Sequence, residues 1–349
     1  AGPIEAAGAP FVSIVSPARN EERSIKEAVS SFCRQDYPNL EVIVVDDCST
    51  DATPRILAGL RSEFPRLRVI QGAEPPPGWL GKTNALELGR KAAKGEWLIF
   101  SDADVIYAPD LVSRAVAFAV KKGTGMVCLW PELIPGEPLE TAVCSKLALG
   151  FAFVPAWLAA FRRVRFIAMG AGIFNMVRRD ALEAARAFAS LKDAVVDDIW
   201  LGLRVKAAGF GQALALAGDL LRIRIYYGLR ETIEGFTKNV YPLLRELPPL
   251  LPVIIPLSFV ITILPYIGFI WSAAHGALNP SALAALVLMH TLAWRCARLF
   301  RLPWYTAFLT PVGELLWWWI ALRSFLRYRR KGVVWRGRTF KPAGIGIYL

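Results

Sequence analysis

Ser101-Asp102-Ala103-Asp104 places two carboxylates on alternate residues directly after the apolar run Trp97-Leu98-Ile99-Phe100. Such a run reads as a buried strand, so the pair sits at its C-terminal end, the edge at which open α/β sheets bind ligands. Oxygen-only donors suit Mg²⁺ or Mn²⁺, and such an ion typically bridges a few carboxylates and a substrate diphosphate. Asp102 and Asp104 are therefore candidate metal ligands. Two acidic residues so spaced are a weak signal alone, and the further pairs Asp46-Asp47 and Asp197-Asp198 strengthen it. Pro17-Ala18-Arg19-Asn20-Glu21-Glu22 follows the first apolar run and opens a helix, a transition where backbone N–H groups are free to meet a nucleotide. No G-x-G-x-x-G lies there, so a dinucleotide fold is not indicated. A carboxylate of Asp46-Asp47 could accept the N3–H of a uracil, while Ser49 or Asp51 could equally cap the next helix.

The elements that must position these residues are read from periodicity. Strand-like runs at 11–16, 40–45, 67–71 and 97–101 alternate with helix-like segments at 21–33, 52–63 and 82–94. Fully apolar strands alternating with helices predict an α/β fold with a mostly parallel sheet covered on both faces. Zinc or histidine catalysis is excluded from this part, because the two histidines, His275 and His290, lie far downstream. The five cysteines show no C-x-x-C spacing, which argues against a disulfide framework and suits a reducing compartment.

The second half is of another kind. The chain is 54% hydrophobic with a mean hydropathy of +0.38, and the excess is local: no Asp, Glu, Lys or Arg occurs from Leu247 to Trp294. That length accommodates two membrane spans of about 20 residues, expected at 250–273 and 281–297. A third apolar segment, 304–322, is interrupted by Thr310-Pro311-Val312-Gly313-Glu314 and is expected to be broken or re-entrant; the alternative is a complete third span with an external tail. The net charge of +12 is concentrated near the C-terminus, at Arg323, Arg327, Arg329, Arg330, Lys331, Arg336, Arg338 and Lys341. Basic residues beside apolar spans read as cytoplasmic anchors, which predicts an integral protein of the cytoplasmic membrane with its α/β domain in the cytosol. No nucleic-acid module accompanies the charge, so no nucleic acid partner is expected. The expected divisions are residues 1–10, a leader or a remnant of an engineered start; 11–240, the α/β domain, with an interfacial helix at 139–161; 241–328, a helical membrane domain; and 329–349, a basic cytosolic tail.

Six motifs in order, SPARNEE, VVDDCSTD, GWLGKTNAL, FSDAD, GAGIFNMVRRDAL and VDDIWLGLRVKAAGF, resemble the GT-A glycosyltransferases of family 2. The resemblance covers about residues 11–239 and implies a Rossmann-like GT-A domain with a C-terminal helical membrane domain. It implies a nucleotide-sugar donor, expected to be UDP-linked, held by Pro17, Ala18, Arg19, Asn20, Glu21, Asp46, Asp47, Lys82, Asn84, Asp102, Gly172 and Asp197. Asp104, with Asp102, would hold Mg²⁺ or Mn²⁺. The family's Glu-Asp pair stands here as Asp197-Asp198, making Asp198 the catalytic base of an inverting transfer; helix capping is the alternative role for this pair. The Gln-x-x-Arg-Trp of processive polysaccharide synthases is absent, and Ile233–Asn239 stands in its place, with Lys238 as a substitute for the arginine at the diphosphate. This segment and Trp335-Arg336-Gly337-Arg338 resemble membrane-bound lipid glycosyltransferases acting on hopanoids, carotenoid acids or ceramide. A single sugar transferred to a membrane lipid is thus expected. A processive synthase and a non-catalytic nucleotide-sugar-binding membrane protein are the alternatives.

Overall fold

Strands β1 (Val12–Ala18), β2 (Leu40–Asp46), β3 (Leu67–Gln71) and β4 (Trp97–Phe100) pair in parallel in the order β3-β2-β1-β4. Every residue of β2 and β4 is buried, as strands covered on both faces require. Helices α1 (Ile25–Cys33), α2 (Thr53–Glu63) and α3 (Gly81–Ala92) connect them. Gly89 allows α3 to lie close on the sheet, since a Cβ there would stand 2.3 Å from Val15 Cγ1. The computed structural model describes residues 8–153, 168–246, 251–330, 333–335 and 337–340.

Beyond β4 the sheet becomes mixed. The remaining elements are β5 (Val105–Tyr107), α4 (Leu111–Lys122), β6 (Met126–Leu133), α5 (Pro138–Phe153), β7 (Asn175–Arg178), α6 (Arg179–Ala184), α7 (Asp197–Ala207) and β8 (Gln212–Ile223). Eight strands run in the order β3-β2-β1-β4-β7-β6-β8-β5. The pairs β4/β7, β6/β7 and β5/β8 are antiparallel. Parallel pairing of β1, β2 and β4 brings the residues after each of them to one edge of the sheet. The antiparallel register Phe100↔Asn175 brings the segment before β7 to the same edge.

Clustering of the fold divides the described chain into two units, 8–132 with 168–223 and 133–153 with 224–340. The division therefore falls at 223/224 rather than at 240, and α5 joins the second unit. The physical reason is a set of long-range partners. Helix α8 (Leu229–Glu246) is bound to α11 (Thr310–Arg330) by Glu234 with Arg323 and Arg327, and by Tyr328, whose hydroxyl donates to the Lys238 carbonyl at 2.8 Å. On α5, the Val143 carbonyl accepts from Trp317 Nε1 at 2.8 Å, and Glu140 pairs with Arg224 at 3.2 Å. The helix expected to be interfacial at 139–161 thus has Glu140, Thr141, Ala142 and Val143 buried within this unit. Its remainder from 154 lies outside the described residues.

Two helices of the second unit, α9 (Leu251–Ala274) and α10 (Pro280–Leu299), are long and apolar enough to cross a membrane, over Pro256–Ala274 and Pro280–Leu299. Asn279 caps α10 by accepting from the Ser281 and Ala282 N–H groups, with Pro280 at its first position. The third apolar segment breaks one step earlier than expected. A 3₁₀ turn at Trp304–Ala307 ends before α11, and Thr310-Pro311 begins the helix rather than interrupting it, because proline is tolerated in a first turn.

Glu314 on α11 is 2% exposed, forms an ion pair with Lys146 of α5 and accepts from Ser258 Oγ of α9 at 2.7 Å. Removing one member of such a pair leaves the other charge buried and uncompensated. Glu314→Ala is expected to destabilise the helical unit by about 3 kcal/mol or more, read as a fall in the Tm of the purified protein. An unchanged Tm would contradict this role.

Candidate active site

The first two loops at the sheet edge are stitched to one another. Asn20 and Cys48 take left-handed conformations, φ +54° and +55°. Asn20 Oδ1 accepts from the Thr50 N–H at 2.8 Å, and the Ser49 hydroxyl accepts from the Asn20 N–H at 3.0 Å. Thr53 Oγ1 and Asp51 take the N–H groups of Glu21 and Glu22, which is why α1 begins at Ile25 rather than at 21. Arg19 donates to the carbonyls of Asp47 and Cys48, at 2.5 and 3.2 Å. Asp46 is fully buried, with its carboxylate accepting from the Ser49 N–H at 3.0 Å and from Gln71 Nε2 at 3.1 Å. Asp46 therefore shapes the second loop. Asp51 does the local work of a helix start, accepting from the Thr53 N–H at 2.9 Å.

Four further segments converge next to these loops. Lys82, in the first turn of α3 with Asn84, reaches Asp102 Oδ1 at 2.8 Å and Asp197 Oδ1 at 3.8 Å. Pro17, Lys82, Asp102, Gly172 and Asp197 line one small pocket, floored by Phe100, Phe188 and Leu201. Gly172 joins its two sides: its carbonyl accepts from the Asp102 N–H at 2.9 Å, and its N–H donates to Asp198 Oδ2 at 2.7 Å. Asp198 Oδ1 accepts from the Ile199 N–H at 2.8 Å. The acidic pair thus opens α7 just inside its N-cap, Val196, so neither carboxylate caps the helix, and backbone N–H groups aim the Asp198 side chain.

Charge in the site is strongly coupled. Burial pushes the Asp197 carboxyl upward, against the pull of the Lys82 ammonium, and the neighbouring Asp198 adds to the rise. Asp198 is raised as well, chiefly by burial, with Lys82 and the Ile199 and Gly172 N–H groups opposing. Burial alone would lower the Lys82 ammonium, but Asp102, Asp197 and Asp198 outweigh it and hold it charged.

Asp104 follows on the turn between β4 and β5 and is half-buried. Among the described residues no three acidic, histidine or cysteine side chains form a ready cluster for a metal. Mg²⁺ and Mn²⁺ need none, since one or two carboxylates complete their shell with water and substrate phosphate. Gly172 leaves room beside these donors, because a Cβ there would meet Asp102 Oδ2 at 2.8 Å and Lys82 Nζ at 3.0 Å. Asp102 lines the pocket and Asp104 follows it by two residues, so their donor chemistry fits an oxygen-liganded divalent ion.

Lys238, Trp335 and Arg338 belong to the second unit, and Arg336 lies outside the described residues. Trp335 and Arg338 stand opposite one another in a hairpin of β9 (Val333–Trp335) and β10 (Arg338–Phe340). The described residues that line the pocket all belong to the first unit. Two residues passed over in the sequence do contribute. The Lys192 carbonyl accepts from the Leu80 N–H at 2.7 Å and from the Thr83 hydroxyl at 2.6 Å, fixing the loop that carries Lys82 to the loop before Asp197. No periodicity marks a backbone carbonyl 109 positions away. Gly170 packs so tightly on the Asp198 carbonyl that a Cβ would approach it to 1.7 Å. Gly172→Ala is expected to leave folding nearly unchanged, because its closest neighbours are side-chain ends. Displacing Asp102 and Lys82 should lower turnover by about 10²-fold; native turnover in the variant would show that the contact is immaterial.

Residues 13–185 match the family described as Glycosyl transferase family 2. The chain is 38% identical over 120 residues to a beta-monoglucosyldiacylglycerol synthase of Nostoc sp., covering 34% of this chain and 25% of that protein. It is 29% identical over 202 residues to the enzyme of that name from Synechocystis sp., covering 56% and 40%. The chain thus spans well under half the length of these relatives. Among solved structures, a mannosyltransferase from Pyrobaculum calidifontis in complex with GDP-Man and Mn²⁺ superposes with a TM-score of 0.55 at 21% identity, over 92% of this chain and 89% of that one. The fold is accordingly GT-A-like, a mixed eight-stranded sheet with helices, followed by C-terminal helices that include two apolar candidate spans.

Proposed function

We propose that this chain, whose residues 13–185 match glycosyl transferase family 2, is a glycosyltransferase that moves one sugar from a nucleoside-diphosphate donor to a hydroxyl of a membrane lipid, with inversion. The observation that carries this reading is the convergence of Lys82, Asp102, Asp197 and Asp198 around Gly172 at the edge where the first two loops meet. The Nostoc and Synechocystis relatives are named for glucosylation of diacylglycerol, which together with the apolar helices α9 and α10 supports a lipid acceptor and a glucose donor, UDP-linked in this reading.

Asp102, with Asp104, would hold Mg²⁺ or Mn²⁺, which supplies charge stabilisation to the departing diphosphate. Lys82 contributes a second positive charge at the same place. Asp198, oriented by the Gly172 and Ile199 N–H groups, takes the proton from the acceptor hydroxyl. The acceptor oxygen forms its bond to the anomeric carbon as the bond from that carbon to the diphosphate oxygen breaks, on the opposite side, and the configuration inverts. Asp197 stays beside Lys82 and holds the ammonium in line with the pocket.

The base must be ionised to act, and its carboxyl is raised above the ordinary range. Activity is therefore lost as pH falls, and the acid limb should lie above the usual carboxylate range near 4. A pH profile of kcat/KM checks this; a limb at or below pH 4 would remove Asp198 from the role. The donor is identified by calorimetry of UDP and GDP with and without Mn²⁺. UDP binding strengthened by Mn²⁺ supports the reading, and indifference to both nucleotide and metal overturns it.

A further inference from the structure

On α11 the exposed apolar residues Leu315, Trp319, Leu322 and Leu326 recur at the spacing of a single helix face, each between 43% and 55% exposed. The opposite face is protein-facing: Gly313, Glu314, Ile320, Ser324 and Tyr328 are buried. The turn before the helix adds Trp304 and Phe308, 69% and 61% exposed. From 315 to 326 the helix rises about 16 Å, half of the roughly 30 Å hydrocarbon thickness. The stripe is therefore too short to cross a bilayer, yet it is continuous enough to lie along one.

Its flanks are basic and aromatic in a repeated arrangement. Arg323 stacks over Trp319 at 5.1 Å, Arg329 over Phe325 at 5.3 Å and, on α10, Arg298 over Trp294 at 5.0 Å. Each arginine follows its ring by four residues, and Arg329 and Arg330 are exposed. Guanidinium groups over amphipathic rings suit the headgroup layer, where stems stay in apolar surroundings and charges meet lipid phosphate. The same unit carries the two apolar helices α9 and α10, which argues for a lipid surface and against a soluble partner as the occupant.

We infer that α11 lies in the plane of the membrane interface, with its Leu315, Trp319, Leu322 and Leu326 stripe in the acyl boundary of an anionic leaflet and its exposed Arg329 and Arg330 at the level of the lipid phosphates. The inference rests on the membrane placement in the proposed function and is independent of the chemistry at Asp198.

The full chain is reconstituted in phosphatidylcholine vesicles with and without phosphatidylglycerol, and a ketone-bearing residue introduced singly at Leu315, Leu322 or Leu326 is spin-labelled. Accessibility to oxygen and to a water-soluble relaxant gives the depth of each label, with Leu264 of α9 as the deep control. The expected result is one common depth of about 5–10 Å at all three positions, greater when phosphatidylglycerol is present. A depth that changes by about 16 Å from 315 to 326 would make α11 a span. Water-like or lipid-inaccessible labels at all three would mean a solvated face or one covered by another protein copy. Either outcome overturns the inference. The double variant Leu322→Glu, Leu326→Glu should lift a label at Leu315 out of the acyl region while UDP affinity stays native, and an undisturbed label would contradict it. Loss of UDP binding with the depths intact would instead count against the donor site alone.

Discussion

Asp198→Asn is expected to lower sugar transfer by about 10²–10⁴-fold while leaving UDP binding close to native. The amide keeps the shape of the carboxylate, and its oxygen can still accept the Gly172 N–H that aims it. What disappears is the ability to take a proton. Because Asp198 sits at the start of α7, a purely structural role predicts a different result: a lower Tm with transfer reduced only in proportion to the folded fraction. Single-turnover transfer and thermal unfolding measured on the same preparation separate the two. Near-native transfer would place the base elsewhere.

A comparable loss is expected from Asp104→Ala, with a different signature. Asp102 is paired with Lys82 at 2.8 Å, and Asp104 is the second oxygen donor of the proposed metal site. Without it, the enhancement of UDP affinity by Mn²⁺ should vanish, and transfer should fall by about 10²-fold or more. Metal-free UDP binding, supported by the loops around Asn20 and Asp46, should persist. Calorimetric titration with and without Mn²⁺ distinguishes these contributions, and a metal dependence unaltered in the variant would sink the assignment.

The parts of the fold visible in the sequence were those set by short-range pattern. Trp97-Leu98-Ile99-Phe100 is apolar without interruption and became a fully buried strand, so the carboxylates after it had to emerge at the sheet edge. The bounds of β2, β3 and α2 follow the predicted runs within a residue because each ends where polar turn residues begin. Of the antiparallel strands, β5 and β7 were not visible because they are three and four residues long, too short to carry a period.

The second unit was legible in its apolar helices and illegible in its boundary. Residues 139–161 read alone as a helix awaiting a lipid surface, and their described part, to residue 153, falls in the helical unit. Their assignment to the helical unit depends on Trp317 and Glu314, more than 160 positions away, and on Arg224 reaching Glu140. At the site, carboxylates and Lys82 were visible by residue type. The positions of Gly170 and Gly172 were not, because a glycine required by close approach has the same appearance in sequence as one in an ordinary turn. The burial of Asp46, whose carboxylate accepts from the Ser49 N–H and Gln71 Nε2, was likewise not legible from its residue type.

The central claim is most directly tested by the product itself. The purified full chain, with Mn²⁺ and vesicles containing diacylglycerol, is supplied in parallel with UDP-glucose, UDP-galactose, UDP-N-acetylglucosamine and GDP-mannose. The lipids are then identified by mass spectrometry, and the anomeric configuration by proton NMR. The account predicts one β-linked hexose on a lipid hydroxyl, formed from UDP-glucose, abolished by chelation and absent with Asp198→Asn. An α-linked product, a long polysaccharide, or donor turnover undiminished in Asp198→Asn would contradict it.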